Sequence, residues 1–171
     1  MSDSYFYLPK STQAGIALGS NLGSSNLIIS QAISQLQELH LGPPNTFLVS
    51  SLYKTIPVNC PPNSPDFLNA VIQLETSLSS YDLIGFLQKI EAAEGRTLPR
   101  MKNTPRTLDL DLLYHGVNIL TTDLLTLPHP RILEREFVLR PLSEIIPHFT
   151  LPGWKKTAQE YLLDLKINHI N

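Results

Sequence analysis

The apolar positions along the chain change period several times, and each change marks an element. Residues 14–18 form a short apolar run that breaks at Gly19-Ser20-Asn21-Leu22-Gly23, the pattern of a strand ending in a turn. Leu27, Ile29, Ala32, Ile33, Leu36 and Leu39 then recur at helical spacing. Ser24 or Ser25 is placed to cap that helix and Gly42-Pro43-Pro44 to stop it. Residues 46–55, rich in β-branched and aromatic side chains, predict a strand. Pro57, Pro61, Pro62 and Pro65 rule out a central strand over residues 56–66, leaving a loop long enough to wall or cover a pocket. Residues 67–75 return to a strand pattern.

Ser79 or Ser80 opens a second helix, with Leu83, Phe86, Leu87 and Ile90 on one face and Gly95 at its end. Residues 96–106 have no period and carry most of the positive charge in the middle of the chain. Residues 107–114 predict a further strand. Residues 127–141 hold Pro128-His129-Pro130-Arg131 and then a short helical stretch, and residues 154–165 a closing helix. Strand, helix, strand, strand, helix, strand is the order of a split βαβ unit. The predicted class is therefore α+β: a ferredoxin-like sandwich, mainly antiparallel sheet with helices packed on it. Residues 1–13 read as a short tail and residues 14–171 as a single domain.

Composition narrows the function classes. With 171 residues, 42% of them hydrophobic and 16% charged, a packed core needs no metal or disulfide staple. Cys60 is the only cysteine, which excludes an intrachain disulfide and a thiolate metal cluster. A net charge of -2 offers no electrostatic footprint for nucleic acid or an anionic membrane. No run approaches the ~18 apolar residues of a membrane helix, and MSDSYFYLPK lacks the basic start and apolar stretch of a signal peptide. The expectation is a cytoplasmic monomer without nucleic-acid or membrane partners.

The sharpest chemical feature is Arg106-Thr107-Leu108-Asp109-Leu110-Asp111-Leu112. Side chains alternate along a strand, so Asp109 and Asp111 share a face while Leu108, Leu110 and Leu112 point into the core. Two carboxylates with Cα atoms ~6.5–7 Å apart can hold hard cations, and magnesium suits them because it takes oxygen ligands and keeps phosphates and waters for the rest. Taken alone, the pair reads rather as the solvated acidic face of a half-buried strand, and the arginines change that balance. Arg96, Arg100, Lys102 and Arg106, with Arg131 and Arg135 later, add the cations a triphosphate requires. Gln88 and Glu91 share a helix face opposite the Leu83, Leu87 and Ile90 stripe. His129, between two prolines, is placed either to hydrogen-bond a phosphate or to serve the structure.

These motifs resemble the 6-hydroxymethyl-7,8-dihydropterin pyrophosphokinase family of folate biosynthesis. The matching stretches are Gly19-Ser20-Asn21-Leu22-Gly23, Ser50-Ser51-Leu52-Tyr53-Lys54-Thr55, Phe67-Leu68-Asn69-Ala70 and Gln88-Lys89-Ile90-Glu91. Gly95-Arg96, Pro105-Arg106-Thr107-Leu108-Asp109-Leu110-Asp111, Pro128-His129-Pro130-Arg131, Phe137 and Pro141-Leu142 continue them in family order. The resemblance implies transfer of pyrophosphate from ATP to the hydroxymethyl group of a reduced pterin, releasing AMP. It implies that Asp109 and Asp111 ligate two magnesium ions and that Arg96 and Arg106 act with them in catalysis. It assigns Gln88, Glu91, Arg96, Arg106, Leu112, Thr126, His129 and Arg135 to ATP, and Thr55, Val58, Phe67, Asn69 and Phe137 to the pterin. Residues 56–66 and 97–105 would then close over the substrates. The chain departs from the family at Asn103, where several members carry tryptophan, and at Leu98, where a second loop arginine is expected and Arg100 can substitute. The competing readings are another ATP-dependent kinase, an RNA-reading module on the same fold, and a pseudoenzyme that binds ATP without turnover.

Overall fold

Alternation along the strands decides which residues meet which helices. The computed structural model describes residues 11–57, 60–95 and 105–168. Its central strand β1 (Thr12–Ser20) turns Ala14, Ile16 and Leu18 to one face of a sheet and Ala17 to the other. Strands β2 (Leu48–Val49), β3 (Tyr53–Thr55), β4 (Phe67–Thr76) and β5 (Asp109–His115) complete that sheet. The order is β2-β4-β1-β5, with β3 also on β4, and every pairing is antiparallel. Apart from the small strands, this is the order of a ferredoxin-like fold, as the sequence predicts. Gly15 is required where it stands, because a Cβ there would run into the Tyr114 ring.

Helices α1 (Ser25–Gln37) and α2 (Ser80–Ala93) cover the first face with Ile29, Ala32, Leu36, Leu83, Leu87 and Ile90, all buried. Ser79 caps α2 by accepting from the Asp82 amide at 3.2 Å, and Gly95 ends it at φ +80°. The second face is covered as well. There α3 (Glu136–Ile145) and α4 (Ala158–Asn168) pack Val138, Leu139, Leu142, Ala158 and Leu162 against Ala17, Val71 and Leu113. A small hairpin of β6 (Leu120–Thr121) and β7 (Thr126–Leu127) stands apart from the main sheet. Among the described residues no helix is long and apolar enough to cross a membrane.

Several boundaries differ from the sequence reading. The strand expected over 46–55 is broken into β2 and β3. At the break the Ser50 hydroxyl accepts the Val71 amide at 2.9 Å, so a side chain takes a bond the ladder would otherwise make. Helix α1 ends at Gln37, before Leu39 and the glycine. The chain leaves it so that His40 Nδ1 can accept the Glu75 amide at 3.0 Å. Helix α4 starts at Ala158, not Trp154, because Thr157 and Glu160 form a capping box: Glu160 accepts from the Thr157 amide at 2.8 Å and Thr157 Oγ1 from the Glu160 amide at 3.3 Å.

Candidate active site

The pairing register sets the floor of the site. Tyr53, Asn69, Gly19 and Asp109 are cross-strand partners in one row, and Val71, Ala17 and Asp111 in another. Gly19 and Ala17 are small, so the sheet is nearly flat between Asn69 and the two carboxylates. A Cβ on Gly19 would lie 3.2 Å from Asn69 Oδ1 and 3.9 Å from both the Asp109 Cβ and a Phe67 ring carbon. Asn69 is itself buried and donates from Nδ2 to Thr55 Oγ1 at 2.7 Å. Thr55, Phe67 and Asn69 thus stand together beside Gly19 on the face that α3 covers further along.

Asp109 and Asp111 do project together, as alternation predicts, while Leu108, Leu110 and Leu112 are buried on the opposite side. Each carboxylate is paired to an arginine. Arg106 Nη1 lies 2.7 Å from Asp109 Oδ2 and Arg135 Nη1 lies 3.3 Å from Asp111 Oδ2. The same guanidinium groups sit over the aromatic walls, Arg106 at 6.0 Å from the Phe67 centroid and Arg135 at 5.7 Å from that of Phe137. Arg135 Nε is buried and makes no hydrogen bond among the described residues. Arg131 points elsewhere and pairs with Glu134 at 3.7 Å in an exposed position.

On the other side of the carboxylates a cleft of about 310 Å³ lies between α2, the outer edge of β5 and the β6–β7 hairpin. Gln88, Asp111, Leu112, Thr126 and His129 all line it. His129 donates its amide to the Leu113 carbonyl at 2.7 Å, and its Nδ1 accepts from the Arg131 amide at 3.2 Å. That leaves Nε2 to carry the proton of the neutral ring. Burial depresses the His129 pKa below its ordinary value; Asp111 opposes this, and Arg135 and Arg131 reinforce it.

Glu91 is a correction. It does not lie opposite the leucine stripe: it is 2% exposed, and its Oε1 accepts the Leu110 amide at 2.8 Å. Four residues on from Leu87, it shares that residue's side of α2 and faces the β5 backbone. Val58 and Arg96, with Leu98, Arg100, Lys102 and Asn103, lie outside the described residues.

Glu144 is a residue the sequence does not suggest. It accepts from the Ser51 amide at 3.0 and 3.1 Å, from Ser51 Oγ at 2.8 Å and from the Tyr53 hydroxyl at 2.9 Å. These bonds dock α3, which carries Phe137, on the segment that carries Thr55. The partners are 93 and 91 residues apart, so no local signal could expose them.

Among the described residues no three His, Cys, Asp or Glu side chains gather to enclose an ion. Asp109 and Asp111 instead form an open pair. That donor set fits magnesium, which binds through one or two carboxylates and completes its shell with phosphate and water.

A sequence model of the family described as 7,8-dihydro-6-hydroxymethylpterin-pyrophosphokinase (HPPK) matches residues 15–147. The 2-amino-4-hydroxy-6-hydroxymethyldihydropteridine pyrophosphokinase of Haemophilus influenzae is 43% identical over 142 residues, covering 82% of this chain and 85% of that protein. The Bacillus subtilis enzyme of the same name is 42% identical over 132 residues, with 77% of each chain covered. In fold, the chain is similar to a Plasmodium falciparum HPPK-DHPS triple mutant with pteroate, at TM-score 0.69 and 15% identity. That match covers 94% of this chain and 44% of the longer one, so the chain spans less than half of the latter. By the length of the family match and by its close relatives, the chain belongs to the 7,8-dihydro-6-hydroxymethylpterin-pyrophosphokinase family.

Proposed function

We propose that the chain transfers pyrophosphate from ATP to the hydroxymethyl group of 6-hydroxymethyl-7,8-dihydropterin, giving AMP and the pterin diphosphate for folate synthesis. One observation supports this most: Asp109 and Asp111, each against its own arginine, stand between a polar-lined cleft and the surface over Gly19, which we take as a recess.

The recess suits the pterin. Gly19 leaves room for a flat ring over the sheet, Phe67 and Phe137 offer aromatic faces, and the Asn69 amide can pair with the ring's polar edge. Thr55 holds Asn69 in place, and Val58 belongs to this group by the family pattern. The cleft suits the nucleotide, with Gln88, Leu112 and Thr126 around it and His129 Nε2 free to donate to a phosphate oxygen. Glu91 acts here by holding the Leu110 amide and so the edge of β5. Asp109 and Asp111 would hold magnesium, two ions by the family pattern, which supplies charge neutralisation for the transferring group.

The substrate hydroxyl oxygen forms a bond to the β-phosphorus and gives up its proton to water as the bond from that phosphorus to the α–β bridging oxygen breaks. AMP leaves with the bridging oxygen. Such transfer depends on in-line positioning and charge stabilisation more than on a protein nucleophile. Arg106 and Arg135 are already at the carboxylates and reach phosphate oxygens by turning from them, and Arg96 joins them by the family pattern. The chain is proposed to act as a monomer in the cytoplasm.

The test is Asp111→Ala. It should abolish transfer while leaving the circular dichroism spectrum and melting transition close to those of the wild type. Near-normal turnover by that variant with magnesium present would overturn the two-carboxylate mechanism.

A further inference from the structure

The main-chain ladders around β1 stop short of the turn that follows it. Pairing with β4 ends at Ser20↔Leu68 and pairing with β5 ends at Gly19↔Asp109. Asn21 stands just beyond both, 4% exposed. Its side-chain amide continues what the backbone leaves off. Oδ1 accepts the Arg106 amide at 2.8 Å, and Nδ2 donates to the Pro65 carbonyl at 3.0 Å. The main-chain amides of Asn21 and Leu22 both donate to the Arg106 carbonyl, at 3.1 and 3.2 Å.

One planar amide therefore grips the segments on both sides of the central strand. Pro65 stands two residues before Phe67. Arg106 reaches Asp109 and lies over the Phe67 ring. From this geometry, and resting on the functional reading above, we infer that Asn21 is a positioning residue that makes the placement of the pterin wall and of the phosphate-side arginine depend on each other. The residue type matters. Aspartate keeps the acceptor for Arg106 but loses the donor for Pro65, and alanine loses both. A misplacement of ~1 Å at a reacting centre costs on the order of 100-fold in rate, so the effect belongs in kinetics as well as in stability.

The experiment compares wild type, Asn21→Asp and Asn21→Ala, each checked for folding by its melting transition. Turnover is measured against both substrates. Affinities are measured for the pterin alcohol and for a non-hydrolysable ATP analogue with magnesium, separately and together. Asn21→Ala should lower kcat by ~10- to 100-fold and bring the mutual enhancement of the two ligands close to unity. Asn21→Asp should raise the pterin KM while leaving affinity for the ATP analogue within about 2-fold of the wild type.

Folded variants whose melting temperature falls but whose kcat, KM and ligand coupling match the wild type overturn the inference, since a merely structural bond would behave that way. Should both variants fail to fold, hydrogen exchange on the wild type decides. Pterin alcohol alone should slow exchange of the Arg106 amide, and no change there overturns the inference. Absence of wild-type turnover overturns the functional reading and this inference with it, whereas wild-type turnover with unaffected variants overturns this inference alone.

Discussion

Arg135 donates from Nη1 to Asp111 Oδ2 at 3.3 Å, joining the start of α3 to the carboxylate strand. Both side chains are mostly shielded, at 20% and 32% exposure. The arginine thus occupies a carboxylate that magnesium also wants, and the two cations compete for one acid. Arg135→Ala should remove the competitor and the phosphate contact together. Magnesium affinity measured without nucleotide should rise, while turnover falls by ~100-fold or more. Unchanged turnover would show that this arginine never reaches the phosphates.

Gly19→Ala probes the recess. The new Cβ would meet Asn69 Oδ1 at 3.2 Å, and Asn69 cannot yield freely because Thr55 holds it at 2.7 Å. The expected result is a folded protein whose pterin KM rises ~10-fold or more, in the range one methyl group is worth in a fitted pocket. Affinity for the ATP analogue should hardly change. A comparable loss in both affinities would mean that the recess is not a separate pterin site.

Glu144 supplies a pH dependence. Burial raises its pKa, but donation from Ser51, through side chain and backbone, and from Tyr53 outweighs burial and holds the carboxyl below its ordinary value of 4.5. A depressed carboxylate stabilises the fold above its unfolded pKa, and that stability is lost as pH falls through the folded value. Glu144→Gln should therefore melt below the wild type at pH 7. The gap should close as the pH drops from about 4.5. A gap independent of pH would show that charge on Glu144 contributes nothing to the docking of α3.

Glu91→Ala leaves the Leu110 amide without its 2.8 Å acceptor in a buried place. An orphaned buried donor costs about 1–3 kcal/mol, so the urea midpoint should fall, with a melting temperature roughly 2–12 °C lower. Nucleotide affinity should fall as well, because the edge of β5 lines the cleft.

What was legible in the chain was local. Period-2 alternation alone separates Asp109 and Asp111 from Leu108, Leu110 and Leu112, because facing follows from backbone geometry. Helical spacing likewise identifies Ile29, Ala32 and Leu36 on α1 and Leu83, Leu87 and Ile90 on α2 as buried, but Leu27 of the expected α1 face is 58% exposed. The Thr157–Glu160 capping box is also a local signal. Trp154, at the expected start of α4, instead makes an edge-on contact with Tyr161, ring centroids 5.0 Å apart.

The rest depends on partners distant in sequence. The break at Ser50 exists because Val71 needs an acceptor there, and Glu91 turns inward because Leu110 offers an amide. The Glu144 bonds to Ser51 and Tyr53 exist only once α3 lies on the sheet. The ion pairs of Arg106 and Arg135 follow the same rule in part: the first is a three-residue neighbour of Asp109, while the second crosses 24 residues.

The most direct test of the account is the identity of the products. Purified protein is incubated with ATP, magnesium and 6-hydroxymethyl-7,8-dihydropterin, and AMP, ADP and pterin products are separated. AMP should form in proportion to pterin diphosphate, with no turnover when the pterin is left out. ADP with a pterin monophosphate would mean single phosphoryl transfer on this scaffold. ATP binding without either product would contradict the enzymatic reading altogether.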